Sequence, residues 1–261
     1  LWGVLIIYPF YNSILVSLST ESDYLRTPFM LWPKKIDLNS YRFIFNSRSI
    51  GYGYRVTVFI TLVGVVYSML LTVPLAYAFA KPKFPGRNLI LNLIIFTMYF
   101  HGGLIPYYLL VRNLGLMNNI WVLILPIGVS TFNFLITRNY FRTIPASLEE
   151  SAKMDGANEL YILARIIVPL SMPVLLVIAL FYAVASWNEW FNGLLFIRDA
   201  KKQPLQLVLR NIISTLTMDQ ANVPDSVKRE AFSDGVKMAA ILVTMVPIMC
   251  VYPFVQKHFV K

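Results

Sequence analysis

The sequence predicts an all-α membrane protein with six transmembrane helices. Three observations carry this. Of 261 residues, 57% are hydrophobic and only 14% charged, against about 25% charged in soluble domains. Apolar runs of ~18 residues or more, long enough to cross a bilayer, recur along the whole chain. The 23 Lys and Arg are scattered between those runs, so the net charge of +10 reads as membrane topology and not as nucleic-acid binding.

The predicted spans are residues 1–18, 54–80, 89–111, 120–136, 166–185 and 236–255. The apolar start carries no basic n-region and no small-residue cleavage site, so it reads as a span entered partway and not as a secretory signal. The second run is long enough to tilt. The third is interrupted by His101-Gly102-Gly103 and Pro106, the fifth opens on Pro169 and Pro173, and the sixth contains Pro247 and Pro253. Such breaks are tolerated where neighbouring helices re-satisfy the freed backbone groups. The division expected is 1–50 (first helix and an external segment), 51–256 (a five-helix core) and a tail at 257–261. The core holds a loop at 145–165 and a long external loop at 196–235.

Six spans place both termini on one side. The short-loop side carries Lys81-Pro82-Lys83-Phe84-Pro85-Gly86-Arg87 beside a span end, which is where orientation is encoded. That side is taken as cytoplasmic. The other side carries fourteen Lys/Arg and nine Asp/Glu spread over far longer segments. Residues 38–45 there read as a short amphipathic helix anchored at the surface by aromatics.

Residues 145–158 have a readable local chemistry. Pro145 disfavours helical geometry at Ile144 and so ends the preceding helix. Ser147 and Glu150 have the spacing of a capping box, which predicts a short helix from about Leu148 to Asp155. Gly156 is placed to stop it in a left-handed conformation. Asn158 can cap the next helix, expected to enter the membrane near Ile166.

Trp187-Asn188-Glu189-Trp190 lies near the outer end of the fifth span. An ionisable residue at membrane depth is a functional candidate, yet Glu189 stands just past the apolar run and reads equally as interfacial. Trp faces can stack on sugar rings, and amides can pair with hydroxyls. Asn92 and Asn133 read as interhelical hydrogen-bonding residues, His101 as a packed side chain, and Cys250 as a small core residue. The chain has no Gly-Lys dipeptide and hence no phosphate-cradling P-loop. It has no H-E-x-x-H and no G-x-S-x-G. It is not expected to be an enzyme.

One stretch resembles a known family. Glu150-Ser151-Ala152, three residues, Gly156, nine residues, then Ile166-Ile167-Val168-Pro169 is similar to the EAA loop of binding-protein-dependent ABC importer permeases. That loop reads E-A-A, three residues, G, nine residues, I-x-L-P. Ser151 and Val168 are mild departures. The run Phe100-His101-Gly102-Gly103-Leu104-Ile105-Pro106 and the tail from Gln256 to Lys261 resemble the MalG-like, Lpl-type oligosaccharide branch. Trp-Asn-Glu segments also occur in the carbohydrate branch.

The resemblance implies a MetI-like fold and a multi-pass protein of the bacterial cytoplasmic membrane. It implies a heterodimer with a second permease, two cytoplasmic ATPase subunits that hold ATP and Mg, and an extracytoplasmic solute-binding protein. Coupling to the ATPases falls to Glu150, Ser151, Ala152, Asp155 and Gly156. Trp187, Asn188, Glu189 and Trp190 are the candidate substrate pathway. The cargo is expected to be an oligosaccharide, with an acidic uronate oligomer such as an alginate fragment the leading choice. No metal site and no cofactor of its own are expected. The rivals are an ion-coupled secondary transporter and a membrane scaffold that transports nothing.

Overall fold

The structure, a computed structural model, describes residues 2–26, 31–33, 35–82, 84–222 and 232–259, with no side-chain detail at 2, 4, 5, 216–222 and 251–259. Lys83, the stretch 223–231 and the last two residues of the tail lie outside them. All regular structure among the described residues is helical.

The chain divides into two compact units, Leu1–Val56 with Arg198–Tyr252, and Thr57–Ile197 with Pro253–Lys261. The first unit holds α1 (Trp2–Ser17), α2 (Glu21–Arg26), α3 (Asn39–Asn46), the first residues of α4 (Arg48–Ala80), α13 (Leu205–Asn222) and most of α14 (Ser233–Phe259). The amphipathic helix expected at 38–45 is α3. Ser40 and Ile44 point inward, while Phe43 and Phe45 stay exposed. The Ser17 hydroxyl of α1 meets the Tyr41 hydroxyl at 2.8 Å, and Tyr54 of α4 donates to the Val243 carbonyl of α14. Residues 196–235, expected as a long external loop, contain a helix among those described. Much of that segment is α13, whose Leu205, Leu207, Val208 and Leu209 are buried. An apolar stripe dense enough to pack made a helix of it.

The second unit holds the rest of α4, then α5 (Arg87–Tyr99), α6 (Leu104–Asn113), two 3-10 turns (Ile120–Leu123 and Leu125–Ile127) and α7 (Thr131–Phe141). The short α8 (Ala146–Met154) and α9 (Glu159–Ile162) follow. A π turn (Leu163–Ile167) and α10 (Val168–Leu170) lead to α11 (Met172–Trp187) and α12 (Phe191–Phe196). Ala76, Phe79, Phe134, Ile162 and Ile167 form the centre of its apolar core. His101, in the break between α5 and α6, and Cys250 of α14 are exposed and not packed as expected.

The count of six spans is not confirmed among the described residues. Only α4 and the Ser233–Cys250 part of α14 are single helices long and apolar enough to cross a membrane among the described residues. Three predicted spans are bent pairs: α5 with α6 at 110°, Ile120–Ile127 with α7 at 43°, and Glu159–Leu170 with α11 at 87°. Local chemistry explains each. Gly103 sits at φ +86° between α5 and α6. Pro126 and Gly128 interrupt the second pair, and the third bends at Ser171 between Pro169 and Pro173. Counting each pair as one span gives up to five. The remaining predicted span holds α1, in which Ile6–Ser17 is an apolar helical stretch.

Gly53 of α4 lies against α13. A Cβ there would stand 3.1 Å from the Leu205 Cα and 3.3 Å from the Val208 Cγ2, whereas one at Gly51 would meet nothing within 4 Å. A backbone neighbour cannot swing aside. Gly53→Val should therefore cost about 1–3 kcal/mol through overpacking, read as a lowered Tm in detergent, while Gly51→Val leaves the Tm close to wild type.

Candidate functional site

The segment from Pro145 to Ser171 is built from the helix ends expected, with one correction. Pro145 takes φ −58° and ψ 130° and itself occupies the position before α8, with no side-chain cap. Ser147 and Glu150 are already helical, so the capping box does not form. Proline is pre-set for this extended geometry and ends the non-helical chain two residues earlier than expected. At the other end the reading holds. Gly156 has φ +82°, its N–H donates to the Lys153 carbonyl at 3.0 Å, and the Ala157 N–H donates to the Ala152 carbonyl at 2.9 Å. These two bonds are the Schellman pair that closes a helix C-terminus. Asn158 then caps α9 by accepting from the Tyr161 N–H at 2.8 Å.

Of the five residues expected to couple, Glu150, Ser151 and Asp155 are exposed, and Ala152 is half-buried against the apolar core. A Cβ on Gly156 would meet nothing within 4 Å, so its surroundings are open and only its backbone conformation demands glycine.

An ionic cluster that the sequence reading missed gathers beside α8. Glu149 of α8 pairs with Lys81, which follows the last residue of α4. Lys153 of α8 pairs with Glu159 of α9 at 2.6 Å. Glu159 also reaches Lys81 at 3.4 Å and accepts from the Tyr77 hydroxyl at 2.8 Å. The Lys81 ammonium sits 4.2 Å from the centre of the Tyr77 ring, a cation–π distance. Burial pushes the Lys81 ammonium below its ordinary value, and the Glu159 carboxylate opposes that shift. A cavity of about 700 Å³ opens here, lined by Tyr77, Lys81, Phe84, Glu149, Glu150, Lys153 and Glu159. The signal available in the sequence was Glu149 and Lys153 at i, i+4 on a short helix; nothing in it pointed to Tyr77.

The other candidate constellation is placed differently. Trp187 ends α11 and is buried, and Asn188 donates back to the Val184 carbonyl at 3.0 Å. Trp190 is at the surface and meets the Phe191 ring edge-on at 5.5 Å. Glu189 uses both carboxylate oxygens locally, accepting from the Asn192 N–H at 2.8 Å and the Asn192 side-chain amide at 3.0 Å. Tyr107 of α6 donates to the same Asn192 at 3.1 Å. Of the two readings left open for Glu189, the geometry supplies partners for the structural one.

Residues 72–261 match the family model of the binding-protein-dependent transport system inner membrane component. Protein LplC of Bacillus subtilis is 44% identical, over 99% of this chain and 88% of its own length. The polygalacturonan/rhamnogalacturonan transport system permease protein YtcP of Bacillus subtilis is 38% identical, over 100% of this chain and 92% of its own. A crystal structure of a bacterial ABC transporter involved in the import of the acidic polysaccharide alginate superposes with a TM-score of 0.91 at 35% identity. That match covers 99% of this chain and 92% of the other.

Glu189 stands just before the Trp190 N-cap of α12 and accepts from the Asn192 N–H, so Glu189→Ala should lower stability by about 0.5–2 kcal/mol, and Asn192→Ala, which keeps that backbone bond, by less. The double variant should lose less than the sum of the two singles, since the bond between the Asn192 amide and the Glu189 carboxylate is removed by either one. Thermal unfolding in detergent reads this directly; additive losses would contradict it.

Proposed function

Because the chain belongs to the family of binding-protein-dependent transport system inner membrane components, we propose that it is one transmembrane subunit of an ATP-driven ABC importer in a bacterial cytoplasmic membrane. It pairs with a second permease subunit, two cytoplasmic ATPase subunits and an extracytoplasmic solute-binding protein. It binds no cofactor of its own; ATP and Mg belong to the ATPase subunits. Transport is by alternating access, and the short helix α8 passes the ATPase movement into the spans.

The observation that supports this most is the form of the 145–171 segment inside the family match. A short helix without buried residues is closed by a left-handed glycine, and its Glu150, Ser151 and Asp155 are exposed. That is a surface offered to a partner and not a core element. The family match favours this reading over an ion-coupled transporter or a scaffold.

The cargo is an oligosaccharide, and an acidic one. Support comes from a relative named for polygalacturonan and rhamnogalacturonan and a structural relative that imports an acidic polysaccharide. The excess of base over acid in the segments read as external adds to it, since a positive mouth concentrates anions.

Two outcomes test the reading. Gly156→Leu forces a side chain onto a left-handed backbone, a cost of about 1–2 kcal/mol, and Glu150→Lys reverses a charge on the exposed face. Both are too small to unfold the protein. Both variants should reach the membrane at near-normal levels and fail to import, with weakened ATPase binding in a pull-down or hydrolysis that no longer responds to the binding protein. Wild-type uptake in both would remove α8 from coupling. For the cargo, uronate oligosaccharides should stimulate hydrolysis more than neutral ones of equal length, with the advantage shrinking as salt rises; equal stimulation at every salt concentration would sink the acidic assignment.

A further inference from the structure

The helix α8 is weakly anchored by packing. It has no buried residue, and Ala152 is its contribution to the apolar core. Its remaining ties are ionic, and they converge. Glu149 and Lys153, one turn apart, reach Lys81 and Glu159 respectively. Glu159 closes the loop onto the end of α4 through Lys81 and Tyr77. Three elements, α4, α8 and α9, therefore meet around one ammonium.

Burial grades these contacts. The Lys81 and Glu149 side chains are each 22% exposed, against 48% and 54% for Lys153 and Glu159. Solvent screens the outer pair, which contributes little, and screens the inner pair less. Charge-assisted hydrogen bonds are short and directional, so a helix held at two points on one face cannot roll about its axis without breaking one of them. A single alanine on an apolar surface imposes no such limit.

We propose that the Tyr77–Lys81–Glu149–Glu159 cluster is the joint through which movement of α8 reaches α4, with Lys81 the positioning residue at its centre. The inference rests on the reading of α8 as the ATPase contact, and it adds the residues that carry the movement onward.

The test replaces the ionic link with a covalent one. In a Cys250→Ser background, Lys81→Cys and Glu149→Cys are combined in the full assembly with the second permease, the ATPase subunits and the solute-binding protein. The ATPase subunits should still copurify. Stimulation of hydrolysis by the loaded binding protein should fall about tenfold, within the usual range for coupling between sites, and uptake should fall with it. Linking the two thiols with a short bifunctional methanethiosulfonate should restore stimulation, and dithiothreitol should abolish it again. Lys81→Arg, which keeps the charge, should keep the stimulation.

Wild-type stimulation in the unlinked double variant, no recovery on linking, or failure of Lys81→Arg would each overturn the joint. A wild-type assembly that shows no ATP-driven uptake would overturn the importer reading instead.

Discussion

In hydrocarbon, every backbone N–H and C=O must find a partner within the protein. This chain interrupts its apolar segments at several places, and backbone groups beside those breaks find partners within the protein. At the sharpest, the Phe100 N–H donates to the Phe96 carbonyl at 3.1 Å before Gly102-Gly103. At the bend between Pro169 and Pro173, the Ser171 N–H reaches the Ile167 and Val168 carbonyls at 3.0 and 3.1 Å. Before α7, the Tyr182 hydroxyl accepts from the Ser130 N–H at 3.0 Å and meets Thr72 at 2.7 Å. One phenol thus ties three segments together.

The end of α4 meets the same demand with charge. Arg138 is buried in α7 and donates from its Nε to the Phe79 carbonyl at 3.1 Å. Arg87 donates to the Lys81 carbonyl at 3.2 Å. Cations near helix C-termini are favoured because they satisfy the last carbonyls and oppose the helix dipole. Two arginines and one lysine therefore do different work over a few residues. The arginines finish α4, and Lys81 joins it to α8. Phe79 meanwhile packs edge-on against Phe134 at 5.5 Å, so the end of α4 is held by apolar as well as polar contacts.

Legibility in the sequence followed the range of the forces. The stop at Gly156 and the cap at Asn158 depend on bonds within a few residues, and both were readable. The capping box failed at equally short range because Pro145 competed for the same position. Helicity and apolar content were readable, but continuity was not. The breaks at Gly103 and Ser171 were marked by Gly and Pro, yet the sequence carries no measure of how far a chain turns at such a mark. Residues 196–235 were read as a loop because their polar residues hid the stripe through Leu205 and Val208. The Lys81 cluster unites positions 77, 81, 149 and 159, and a contact over that separation leaves no local pattern.

The π turn at Leu163–Ile167 gives the motif's fixed residue count a physical meaning. A π turn is an α-helix that has taken in one extra residue. The stretch between Gly156 and Ile166 is therefore not a neutral spacer, because its length includes part of that surplus. Deleting a single residue there would let the turn tighten to α and rotate everything before it by about 100° relative to the helix beyond. Glu159 would swing away from Lys81 while every remaining residue kept its identity. For this segment, chain length is as much a part of the chemistry as composition, and a one-residue deletion is a more drastic change than most substitutions.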